Sequence, residues 1–153
     1  KNLSECDYGD WTGKKLKRLA KDPLWLAVQA HPSSVNFPNG ESMLAAQTRA
    51  VFAVRQWAKR AQSEVGDGGV VLIVSHADII KSIVADALGM HLDMFQRIVV
   101  DPGSVTAIDY TSLRPFVSLL NGTTDVGAAI SAGIPHGSDA AVGGGAGRTS
   151  KRK

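Results

Sequence analysis

Val70-Val71-Leu72-Ile73-Val74-Ser75-His76-Ala77-Asp78 is the stretch on which the reading of this chain turns. Five apolar residues, four of them β-branched, run into a Ser-His pair, and Asp78-Ile79-Ile80-Lys81 begins a helical pattern at once. Such a run reads as a buried parallel strand of an α/β protein. It carries His76 to the carboxyl end of the strand, where ligand sites of open α/β sheets gather. The helix start that follows offers free backbone N–H groups and the positive end of a helix dipole, both favourable to an anion. An imidazole there can donate a hydrogen bond to a phosphoryl oxygen. The alternative is a histidine that merely caps the strand.

Downstream, Ile79, Ile80, Ile83, Val84 and Leu88 form the inner stripe of a helix, and Gly89 suits its C′ position. A short turn or helix around 93–96 leads to Ile98-Val99-Val100. Asp101-Pro102-Gly103 then turns the chain. Residues 104–110 alternate like a half-buried strand and 116–120 form another, so the two are expected to pair antiparallel at a sheet edge.

Upstream, the strongest helical pattern runs from Glu41 to about Glu64, with Leu44, Val51, Val54, Trp57, Ala58, Ala61 and Val65 at helical spacing. Pro32, Pro38 and Asn39-Gly40 mark the loop before it. Residues 14–30 read as helical, split or restarted at Pro23. Residues 1–13 form a Gly-punctuated loop that contains Glu5. A glutamate there is either a solvated loop acid or, with a raised pKa and reach to a leaving group, a general acid.

The 153 residues, 44% hydrophobic, suffice for one domain with a real core. No apolar run approaches the ~20 residues that span a bilayer, and no signal-peptide pattern opens the chain. The single cysteine, Cys6, excludes an internal disulfide framework and a Cys-rich metal site, and it fits a reducing, cytoplasmic setting. It reads as a small buried filler, with a reactive thiol as the alternative. The net charge of +3 is misleading. Four of the 17 lysines and arginines and two of the 14 acidic residues lie beyond residue 124, which leaves the body at +1. The basicity belongs to a Gly/Ala/Ser-rich stretch, residues 124–153, that reads as a mostly disordered tail, so nucleic-acid binding is not expected.

Four segments in order carry a family resemblance. Leu3-Ser4-Glu5-Cys6-Asp7-Tyr8-Gly9-Asp10-Trp11-Thr12-Gly13 resembles the Leu-x-Glu-x-x-x-Gly-x-Trp-x-Gly signature of the histidine phosphatase superfamily, the phosphoglycerate mutase-like fold. Pro38-Asn39-Gly40-Glu41-Ser42 resembles its Pro-x-Gly-Glu-Ser, with Arg49 where the family often has arginine. Val74-Ser75-His76-Ala77-Asp78 resembles its second histidine motif, and Asp101-Pro102-Gly103-Ser104-Val105-Thr106 its late strand with a small polar residue near the site. The resemblance covers residues 3 to about 120. It implies a three-layer α/β/α sandwich with a mostly parallel sheet over residues 1–123, and phosphomonoester hydrolysis through a phosphohistidine. It makes Glu5 the acid/base, His76 with Ala77 the phosphate-binding pair, and Ser104 a substrate-binding residue. It calls for no metal or other cofactor. The expected partner is a small phosphorylated substrate, with no membrane and with a homodimer left open. Hydrolase is favoured over mutase, because mutases of the family carry a longer insertion after the Glu loop.

The departures are as informative. The family's Arg-His-Gly, which supplies the nucleophile and one arginine, is absent from this sequence, as is the segment that carries the second arginine. His31, His91 and His136 do not match the motif and read as surface residues. Arg49 and Arg55 sit on the long helix and do not read as replacement phosphate clamps. Ala77 stands where the family usually has glycine after the second histidine. The expectation is an N-terminally incomplete domain, catalytically dead in isolation and poorly soluble. The other reading is a noncatalytic module that keeps the fold and an anion pocket near His76. Trp11, Trp25 and Phe37 either line the substrate pocket or pack in the core.

Overall fold

The computed structural model describes residues 1–66 and 69–123. The tail expected over 124–153, with His136 and the basic terminus, lies outside the described residues. Four helices, α1 (Leu16–Leu19), α2 (Leu24–Ala30), α3 (Met43–Val65) and α4 (Ala77–Ala87), precede an antiparallel hairpin of β1 (Val105–Tyr110) and β2 (Pro115–Gly122). Single 3-10 turns sit at Gly9–Trp11 and Pro32–Ser34, and a six-residue 3-10 helix at Leu92–Arg97. The chain is therefore of mixed α/β type. None of its described helices is long and apolar enough to cross a membrane.

Local chemistry sets the helix limits. Pro23 lacks the N–H that would continue α1 and occupies the N-cap of α2, which splits the 14–30 region where expected. The Ser42 hydroxyl accepts from Ala45 N–H at 3.0 Å and starts α3. At the other end of α4, Gly89 takes φ +66, its N–H bonds Asp86 O at 3.0 Å, and Met90 N–H bonds Ala85 O at 2.8 Å. This is the paired closure of a helix by a C′ glycine. The β1–β2 pairing also follows the alternating pattern, with Ile108 opposite Val117 and Asp109 opposite Phe116.

The buried face of α3 differs from the expected stripe. Met43, Ala46, Ala50 and Ala53 are buried, while Leu44, Phe52, Trp57 and Val65 are exposed. The alanines let α3 lie close against α4, where Gln47 Nε2 donates to Ser82 O at 3.0 Å and Arg55 pairs with Asp86 at 2.7 Å. Ile79, Ile83, Val84 and Ala85 of α4 join Cys6, Trp11, Val28, Phe37, Phe95 and Ile98 in one core. Trp11 stacks on Trp25 with ring centroids 6.1 Å apart and meets Phe37 edge-on at 5.4 Å. Trp11 and Phe37 are thus core residues; Trp25 is half-buried.

Residues 70–75 correct the expectation of a buried strand. They pair with no other strand among the described residues, and Val70, Leu72 and Val74 are 91%, 86% and 88% exposed. Val71, Ile73 and Ser75 are less exposed, so one face of the segment rests on the body and the other is bare. The apolar sequence suits a sheet interior, but the only sheet described is the β1–β2 hairpin. A bare apolar edge is a template for pairing with another chain. Accordingly, the 153-residue chain should self-associate, and Leu72→Lys should shift it toward monomer. Sedimentation at several protein concentrations tests this, and an unchanged mass distribution would contradict it.

Two glycines bring the N-terminal loop onto the loop before α3. Gly9, at φ +51, and Gly40 meet so closely that a Cβ on either would strike backbone of the other loop, Pro38 O in one case and Asp7 O in the other. Asp10 N–H to Pro38 O and Glu41 N–H to Asp7 O, each 2.9 Å, close the junction. Gly40→Ala should cost ~2 kcal/mol of unfolding free energy, seen as a lower denaturant midpoint, because backbone must move to admit the methyl.

Candidate active site

Glu5 is held from two sides. The Arg49 guanidinium donates to three backbone carbonyls of the N-terminal loop, Asn2 O at 2.9 Å, Ser4 O at 3.0 Å and Glu5 O at 3.0 Å. It also forms a two-pronged pair with Glu41, whose Oε2 lies 3.0 Å from Nε. Opposite, the Ser75 hydroxyl donates to Leu3 O at 2.7 Å. Ser75 precedes His76, so this bond ties the Glu5 loop to the residue that caps α4. Arg49 is thereby spent on structure, in keeping with its exclusion as a phosphate clamp.

His76 occupies the N-cap of α4 with extended backbone (φ −111, ψ 156), and its imidazole is not used as a cap. The first helical bond runs from Ile80 N–H to His76 O at 2.9 Å. The N–H groups of the first turn, Ala77 among them, face away from the helix's own hydrogen bonds. His76 is exposed and Ala77 half-buried. Asp78, next along, is 2% exposed; its Oδ2 accepts from Tyr8 Oη at 2.9 Å, and Lys81 Nζ lies 3.9 Å from Oδ1.

Glu5 lies within electrostatic reach of both His76 and Asp78. Its carboxyl sits above the usual range, chiefly because burial penalises the charged form; the Asp78 charge adds to this. The Cys6 N–H, donating to Oε1 at 3.0 Å, and the His76 imidazole work the other way. A carboxyl pushed upward is suited to carry a proton to a leaving group. The Cys6 thiol is buried, and burial first, then the nearby Glu41 and Glu5 charges, push it up to about 12. It is therefore protonated filler rather than a nucleophile.

The remaining sequence candidates make no described hydrogen bond to Glu5 or His76. Ser104 has a buried hydroxyl without a hydrogen-bond partner. His31 and His91 are exposed and flank Asp93, with Nδ1 atoms 3.7 Å and 3.2 Å from its Oδ2. A groove of about 520 Å³ on α3 is lined by Leu44, Arg49 and Phe52 among others, and His76 is not part of its lining. Sequence reasoning passed over Tyr8, Ser75 and Asp78 as partners of the site. Asp78 left one trace, an acid followed three residues later by a lysine inside an otherwise apolar helix.

A sequence profile of the Histidine phosphatase superfamily (branch 1) matches residues 1–123. No curated protein matches the chain significantly. Among solved structures, YhfR of Bacillus stearothermophilus is 27% identical, with a TM-score of 0.69 over 80% of this chain and 60% of that one. A putative alpha-ribazole-5'-P phosphatase from Escherichia coli is 24% identical, with a TM-score of 0.63 over 79% of this chain and 58% of that one. A phosphoserine phosphatase variant from Entamoeba histolytica, bound to phosphoserine, is 18% identical, with a TM-score of 0.68 over 82% and 62%. The last two are likenesses of fold alone. This chain spans about three-fifths of the length of each.

The anchor beneath Glu5 has a pH signature. The Arg49 hydrogen bonds hold the Glu41 carboxyl below its usual range. A depressed folded value adds stability above the unfolded glutamate value of ~4.3, and that stability is lost as pH falls through the folded value. The unfolding midpoint should therefore decline on acidification below about pH 5, and Arg49→Met should flatten that part of the profile. Denaturant melts of both proteins across the acid range provide the check.

Proposed function

The chain belongs to the histidine phosphatase superfamily, branch 1, and on that premise we propose that it serves phosphomonoester hydrolysis through a phosphohistidine. Glu5 is the acid/base, and His76 with the Ala77 N–H binds the phosphoryl group. The observation that carries this reading is the pairing of a half-buried Glu5, its carboxyl pushed above the usual range by burial, with an uncommitted imidazole at the head of α4.

The chemistry runs in two displacements. A histidine nitrogen attacks phosphorus and the ester P–O bond breaks. Glu5 gives its proton to the leaving oxygen, which departs as an alcohol. Water then attacks the phosphohistidine. The Glu5 carboxylate takes one of its protons, the P–N bond breaks, and phosphate is released. The equatorial oxygens carry the charge of a loose transition state, and His76 and the α4 backbone N–H groups suit them as donors. The sequence holds no Arg-His-Gly, so on this reading the nucleophile, the arginine of that motif and the second arginine are supplied from outside these 153 residues. The same reading places residues 70–75 inside the parallel sheet of a three-layer sandwich once neighbouring strands are present. The bare Val70, Leu72 and Val74 favour it. Ser104, with its unpartnered hydroxyl, is the residue best suited to meet the substrate. The substrate is a small phosphate monoester, and the setting is the cytoplasm.

The test uses the chain as it stands. Inorganic phosphate should shift the His76 ring and Ala77 amide signals in NMR titrations, and His76→Ala should weaken that binding at least about tenfold. An aryl phosphate should not be turned over. Robust hydrolysis by residues 1–153 that His76→Ala abolishes would overturn the division of the site. Absence of phosphate binding would overturn the role given to His76.

A further inference from the structure

Tyr8 and Asp78 are unused by the chemistry above, yet they join the Glu5 loop to α4 a second time. The Ser75 hydroxyl donates to Leu3 O at 2.7 Å, and the Tyr8 hydroxyl donates to Asp78 Oδ2 at 2.9 Å. In the loop, Glu5 lies between the two contacts, at Leu3 and Tyr8. In the other segment, His76 and Ala77 lie between the matching contacts, at Ser75 and Asp78. The acid and the phosphate-binding pair are thus enclosed by the same two hydrogen bonds. Arg49 holds the loop to α3 and makes no described hydrogen bond to α4.

Both ends of the second bond are held. Tyr8 is half-buried, and its ring meets Phe37 edge-on with centroids 5.1 Å apart. Asp78 is buried on the first turn of α4. Its Oδ1 has no hydrogen-bond partner; Lys81 Nζ, 3.9 Å away, balances the charge but donates to Gln96 Oε1 at 3.3 Å. The Asp78 carboxylate therefore depends on the Tyr8 hydroxyl. A buried carboxylate so sparsely satisfied is a poor source of stability. What its single bond supplies is placement.

We propose that Tyr8 and Asp78 are positioning residues: together with the Ser75–Leu3 bond, theirs sets the separation of the Glu5 carboxyl and the His76 imidazole, and so the distance from proton donor to phosphoryl group. One bond fixes a point; two, on either side of His76, fix an angle as well. Acid catalysis demands such placement, since a misplacement of about 1 Å can cost ~100-fold in rate. The role rests on Glu5 and His76 having the parts given to them in the proposed hydrolysis.

The experiment is a set of double-mutant cycles on the 153-residue chain, with the Glu5 carboxyl followed by carbon-13 NMR as pH is varied. The charged His76 ring lowers the Glu5 titration. His76→Gln should therefore raise its midpoint, and the size of that rise reports how close the two groups stand. Tyr8→Phe keeps the ring on Phe37 but deletes the donor, and in that background the rise should fall to about half or less. Asp78→Asn keeps an oxygen for Tyr8 to reach, so the rise should survive there although the like charge is gone. The Asp78 and Arg49 charges also reach Glu5; they are the same in both arms of each cycle and cancel. A purely stabilising Tyr8–Asp78 bond would make Tyr8→Phe easier to unfold and leave the rise intact, which overturns the proposal. So does a rise that Asp78→Asn abolishes, because charge and not the hydrogen bond would then be the cause, and so does the absence of any rise in the parent chain. If Tyr8→Phe does not fold, Ser75→Ala removes the matching bond and takes its place with the same two outcomes. Phosphate binding at His76 is read separately: its failure alongside a halved rise counts against the function, and its success alongside an unmoved rise against the positioning role.

Discussion

One guanidinium organises the site. Arg49 sits on the second turn of a long helix, yet it gathers three carbonyls from the N-terminal loop and the carboxylate of Glu41. A loop with free carbonyls and no strand to pair with would otherwise be hydrated and loose. Arg49 does for this loop what a strand partner does elsewhere: its fork supplies donors in a fixed geometry, and the helix supplies the rigidity. The position of Glu5 relative to α4 depends on that bond set and on the Ser75–Leu3 bond across from it.

With the loop pinned, electrostatics follow from burial. Glu5 is withdrawn from water and lies within reach of the Asp78 charge, so its carboxyl is pushed above the usual range; His76 remains exposed and uncommitted. A carboxyl and an imidazole within electrostatic reach of each other thus occupy different environments, and such an arrangement separates the behaviour of two titratable groups. Arg49, although cationic and close in sequence to the matched motifs, takes no part in this, because its donors are already spent.

What could be read in the sequence was local. The C′ glycine at Gly89, the break at Pro23 and the alternating β1–β2 pair each depend on residues within a few positions, and each stands in the structure. The face of α3 was not legible. Its large apolar residues, Leu44, Phe52 and Trp57, dominate the periodicity, while packing against α4 selects the alanines, because only small side chains allow the close approach. The burial of residues 70–75 failed for a related reason. Apolar composition states what environment a segment suits, and it does not state which neighbours are present to provide it. Within the site, Glu5 and His76 were reachable from motif and order. The Tyr8–Asp78 bond joins residues too distant in sequence for any spacing rule to link them.

The meeting of Gly9 and Gly40 has a consequence of another kind. Because each glycine's missing side chain makes room for the other loop's backbone, a side chain at either position obliges the other loop to move. The acid-bearing loop and the loop that launches α3 therefore form a single structural unit. A graft of one onto another scaffold would lose this junction unless its mate travelled with it.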